Sequence, residues 1–73
     1  SIMNSTFYSF GVLGKNTHIA FIDEIVMQLK KGFLVSFLTE DLDLKIRLNM
    51  KVQSLSSDIQ KRIKIYSIKD IEV

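Results

Sequence analysis

The chain has no cysteine, so neither a disulfide nor a thiolate metal site is available to hold a small fold together. It has a single histidine, His18. Catalysis through it would need an orienting carboxylate and a nucleophile, and metal binding would need further ligands. The acids that follow on the same predicted helix, Asp23 and Glu24, are not the i+4 neighbour that would share its face. No apolar run approaches the roughly 18 residues of a membrane span, and the first residues lack the basic start and long apolar stretch of a secretion signal. A cytoplasmic protein without membrane contact is the expectation. The glycines Gly11, Gly14 and Gly32 fit no phosphate-cradling pattern, and the acid pairs Glu40–Asp41 and Asp70 with Glu72 lack the dense oxygen-ligand spacing of a calcium loop. No catalytic residue, cofactor site or metal site is assigned, and a non-enzymatic protein is expected.

What is there is one short domain, residues 1–73. A chain of this size buries only about 60 % of the surface it exposes when unfolded. With the usual staples missing, self-association remains, and a hydrophobic fraction of 47% suits a chain that hides apolar surface against a partner. The net charge of +2 is unevenly placed. From Lys45 to Lys69, basic residues outnumber the one acid, Asp58, whereas the first part of the chain is nearly balanced, so the second half is the electropositive one.

The stretch that organises the rest runs from Leu42 to Val52, followed by Gln53. Every even position is aliphatic and every odd one polar or charged, the period of an extended strand with one dry face. Read on a helical period, the same aliphatic residues would surround the helix and leave no clean apolar face. The expectation is therefore a long, strongly bent strand.

The flanking segments are read to fit it. Thr6 to Leu13 reads as a strand with a bulge at Gly11; its aromatics Phe7, Tyr8 and Phe10 are core and edge cover, or alternatively a stacking platform for bases. Asn16 or Thr17 caps a helix that runs to Lys31 and stops at Gly32, with Ile19, Phe21, Ile22, Ile25, Val26 and Leu29 on one apolar arc. Ala20 and Met27 fall on its polar side, where a second chain can touch them. Phe33 to Thr39 reads as a strand apolar on both faces, which calls for two covering layers or a subunit contact. Glu40–Asp41 then makes a tight turn into an antiparallel hairpin. After the turn at Ser56–Ser57–Asp58, Arg62 to Tyr66 resumes as a strand and Ser67 to Val73 ends the chain with another; the competing reading of this region is a helix opened by Ser57 with Gln60 three residues later.

The helix, the hairpin and the ending Arg62-Ile63-Lys64-Ile65-Tyr66-Ser67-Ile68-Lys69-Asp70-Ile71 together resemble the YolD-like proteins, small proteins of Gram-positive bacteria and their phages. The resemblance covers roughly residues 17–73 and departs from the family's pattern at Glu40–Asp41, where a glycine would mark the hairpin tip, and in the aromatic N-terminal segment. It implies a small barrel related to SH3-like and Sm-like folds, with an N-terminal helix and no catalytic activity. It brings no functional residues to transfer.

The expected fold is α+β: one amphipathic helix on a strongly bent, mainly antiparallel sheet of four to five strands, open or closed as a small SH3/Sm-like barrel. The expected function is a self-associating interaction or regulatory module that binds a protein partner or a second copy through Phe33, Val35, Phe37 and Met27. The alternative is nucleic-acid binding through Lys45, Arg47, Lys51 and Lys64 on one sheet face, with Tyr66 or Tyr8 stacking.

Overall fold

A computed structural model of the chain describes residues 4–9 and 11–71. Its central feature overturns the strand expected at Leu42–Val52: this stretch is the helix α2, Leu42–Gln53. The alternation hides a second period. Leu44, Leu48 and Val52 recur every four residues, so they stack on one helical face, and they are buried at 0%, 0% and 8% exposure. The other even positions, Leu42, Ile46 and Met50, face outward with half or more of their surface exposed. Local chemistry agrees with the helix. Asp41 caps it by accepting from the Leu44 amide at 3.1 Å, and Asp43 pairs with Arg47 one turn on, at 3.1 Å. Leucine, lysine, arginine, methionine and glutamine are all good helix formers.

The chain order is β1 (Asn4–Ser9), α1 (Lys15–Lys30), β2 (Leu34–Thr39), α2, α3 (Ser57–Gln60), β3 (Ile63–Ser67) and α4 (Ile68–Ile71). The three strands form one sheet in the order β1-β2-β3, and both pairings are parallel, Phe7 standing beside Phe37 and Phe37 beside Ile65. The expected antiparallel hairpin and barrel are thus absent among the described residues. Glu40–Asp41 is a junction from strand to helix, and α2 provides the crossover that parallel neighbours require. The closing strand expected at Ser67–Val73 is also replaced, by the single turn α4, in which the Asp70 carboxylate accepts from the Ser67 amide at 2.8 Å. Glu72 and Val73 lie outside the described residues, as does Phe10. In the region with two readings, both elements form: Ser56 caps α3, and β3 follows two residues beyond its end.

Helix α1 is capped two or three residues earlier than expected, at Gly14 in place of Asn16 or Thr17, and ends where expected. Gly32 takes φ +96°, its amide donates to Leu29 O at 3.1 Å and the Phe33 amide to Gln28 O at 3.1 Å, a termination that the left-handed conformation makes possible. The Arg62 guanidinium adds a hydrogen bond to Leu29 O at 3.2 Å, a cation at the negative end of the helix.

Both long helices lie on the same side of the sheet. Ile25 and Leu29 from α1, Val35 and Phe37 from β2, and Leu44, Leu48 and Val52 from α2 form one core cluster. Phe37 sits at its centre, with Phe7 and Phe21 ring centroids at 6.5 and 6.4 Å. The molecule measures 32 × 31 × 17 Å, and its thin dimension suits one layer of helices, each about 10 Å across, on one sheet. β2 is apolar on both faces because it is the central strand: Val35 and Phe37 meet the helices, while Leu38 lies on the open face between Tyr8 and Tyr66 in register.

Candidate functional site at the carboxyl edge of the sheet

Parallel strands bring their carboxyl ends to one edge of the sheet. Here β1 ends at Ser9 and passes through residues 10–14 into α1, while β2 ends at Thr39 and passes through Glu40 and Asp41 into α2. The two junctions are stitched together. The Glu40 amide donates to Ser9 O at 3.3 Å, the Gly11 amide donates to Glu40 Oε1, and the Leu13 amide donates to Asp41 Oδ2 at 2.7 Å.

Asp41 is the hub. Its Oδ1 holds the first turn of α2, and its Oδ2 takes the Leu13 amide and His18 Nε2, the latter at 2.9 Å. Both Asp41 and His18 are 2% exposed. The Leu13 amide, then the His18 ring and the Leu44 amide, outweigh burial and lower the carboxyl to about 2. Asp41 is therefore a carboxylate and can only accept, so Nε2 must carry the proton that joins the pair. In the tautomer with a single ring proton, Nδ1 is then a bare acceptor. It lies 3.7 Å from Asp43 Oδ2, beyond hydrogen-bonding reach.

Two buried side-chain polar atoms lack a hydrogen-bond partner among the described residues, Ser9 Oγ and His18 Nδ1. One closes β1 and the other stands in the first turn of α1, so both belong to this edge. Unpaired buried polar atoms are costly in a fold, and both of these stand at the carboxyl edge of the sheet. The charge of the edge restricts what those groups can be. The amides of Gly11 and Leu13, which could cradle an anion, already serve Glu40 and Asp41, and Asp43 adds a third carboxylate. Among the described residues, no cluster of histidine and acidic side chains has the arrangement of a metal site.

The residues expected to act from sequence are dispersed. Val35 and Phe37 are covered by the chain's own helices and Phe33 is half-buried against the core, so the two-sided strand needs no partner to cover its helix side; Met27 remains exposed on α1. Lys45, Arg47 and Lys51 lie on α2 and not on a sheet face. Lys45 approaches Asp70 at 3.5 Å, and Arg47 is held by Asp43. Lys64 and Tyr66 face the opposite side of the sheet, since Ile63 and Ile65, which alternate with them, pack on the core. The expected basic row does not form. The site that does form was missed because His18 and Asp41 are 23 positions apart in sequence, outside any search for helical neighbours. Two local signals pointed to it: glycines at a strand-to-helix passage, and an aspartate placed to cap a helix.

No family model, curated protein or solved structure matches the chain.

Proposed function

We propose that this chain is a binding unit which takes a small molecule bearing hydroxyl or amine groups at the carboxyl edge of its sheet, with Ser9 and His18 as the polar contacts. The observation that supports the reading is the pair of buried atoms at that edge that lack a hydrogen-bond partner among the described residues, Ser9 Oγ and His18 Nδ1. Nδ1 with its lone pair asks for a donor, and the Ser9 hydroxyl can donate or accept. A phosphate would meet three carboxylates, Glu40, Asp41 and Asp43, and find the loop amides engaged. A neutral polyol or an amine meets no such repulsion. The reading is one of binding, in keeping with the expectation of a non-enzymatic module, but it moves the functional surface from the apolar strand to the strand ends.

The test is a titration of isotope-labelled protein with glycerol, ethanolamine and inorganic phosphate, following the resonances of Ser9, Leu13 and His18. Saturable shifts with glycerol or ethanolamine, lost in His18→Phe, and none with phosphate are expected. Saturable shifts with phosphate, or none with any of the three at millimolar concentration, would overturn the reading.

A further inference from the structure

We infer that two copies of this chain pair through the free edge of β1, joining their sheets into one of six strands. Among the described residues, β1 has β2 on one side and no strand on the other. Its sequence, Asn4-Ser5-Thr6-Phe7-Tyr8-Ser9, carries no charge and no proline. Exposed edges normally bear such residues, or a bulge or cover, to prevent pairing with another chain. The other edge is guarded in this way: β3 carries Lys64, is preceded by Arg62, and leads into α4, where Asp70 meets Lys45 at 3.5 Å. The difference between the two edges is the first observation.

The second is a cleft of about 250 Å³ alongside β1, lined by Phe7, Thr17, Ala20, Phe21 and Glu24. It lies between the strand and the outward side of α1, where a further strand would place a side chain. The two features meet at Phe7, which belongs to both.

A second copy fits both features. An antiparallel β1 pair about a twofold axis at Phe7 sets Ser5 opposite Ser9 and Thr6 opposite Tyr8, so each face of the strand continues onto the same face of its mate. With no charge in the strand, the twofold brings no like charges together across the ladder. The axis also brings the two clefts to either side of the Phe7 pair, and Ala20 on α1 leaves room there because its side chain is small. Six residues of strand and one helix flank bury an area at the low end for a stable interface, below about 1,200 Å², so the dimer is a reversible one that grows with concentration. This inference does not depend on the ligand reading, which concerns the strand ends.

Sedimentation equilibrium across a hundredfold concentration range tests it, with Thr6→Lys at the strand edge and Ala20→Lys at the cleft mouth. The wild-type chain is expected to pass from monomer to dimer, and each variant to remain monomeric over the range with an unchanged circular dichroism spectrum. Lys64→Thr on the guarded edge is expected to dimerise as the wild type does. A wild-type chain that stays monomeric throughout, or a dimer that survives Ala20→Lys, overturns the inference, and so does a dimer lost only on Leu34→Lys, which alters the open sheet face. Should Thr6→Lys fail to fold, Ala20→Lys decides alone, since Ala20 is exposed on a helix surface.

Discussion

Asp41 Oδ2 lies 2.9 Å from His18 Nε2, and the bond joins the N-cap of the second long helix to the first turn of the first. Two successive strand-to-helix junctions are thus tied by one buried carboxylate that also serves the Leu13 and Leu44 amides. Removing that carboxylate leaves two amides and an imidazole without their acceptor.

Asp41→Ala should therefore destabilise the fold by about 3 kcal/mol, the sum of a lost helix cap and buried donors left unpaired. Asp41→Asn keeps one acceptor oxygen and should lose less, about 1–2 kcal/mol. His18→Ala combined with Asp41→Ala should fall short of additivity by about 0.5–3 kcal/mol, as for residues in one network. Urea unfolding of the two single variants and the double variant measures all of these. Additive effects would show that the two side chains do not act together.

The same carboxylate sets the acid limb of stability. Its value is about 2 in the folded chain against 3.8 for a free aspartate, so between these values the unfolded chain binds the proton and the folded chain does not. The stabilisation is present in full above the unfolded value and is lost as pH falls through the folded one, an effect of about 2 kcal/mol. Asp70, lowered chiefly by the Ser67 amide, acts in the same direction. Thermal melts from pH 6 down to pH 2 should show a falling midpoint, and Asp41→Asn should flatten much of that slope. An unchanged slope in the variant would place the acid sensitivity elsewhere.

The helical reading of Leu42–Gln53 separates residues that a strand would treat alike. Leu48→Ala should cost about 2–5 kcal/mol, the range for a buried leucine, and Leu44→Ala likewise. Met50→Ala and Leu42→Ala, at exposed positions, should change stability by no more than about 0.5 kcal/mol. Equal losses at all even positions, measured by denaturant unfolding, would restore the strand.

Helix α1, its stop at Gly32, the strand nature of Phe33–Thr39 and the strand in Arg62–Tyr66 were legible in the sequence, because each rests on a local signal: one apolar arc, a glycine free to adopt positive φ, runs of β-prone residues. Leu42–Val52 was misread because two periods coincide there. A four-residue repeat of leucine and valine lies inside a two-residue alternation, and Asp41 as a cap and good helix formers at most positions decide between them. That one error reversed the direction of a strand pairing, since a helix after β2 makes a parallel neighbour where a hairpin would make an antiparallel one. The His18–Asp41 contact could not be read at all without the topology. It exists only because parallel strands bring residues 18 and 41 to the same edge.

The most direct measurement of the site is the ¹⁵N spectrum of the His18 ring above pH 8, where imidazole is ordinarily neutral. The proton is expected on Nε2, pointing at Asp41, with Nδ1 as a bare nitrogen whose resonance moves when ethanolamine or glycerol binds. A proton on Nδ1, or an Nδ1 resonance indifferent to both compounds, would contradict the arrangement from which the proposed function follows.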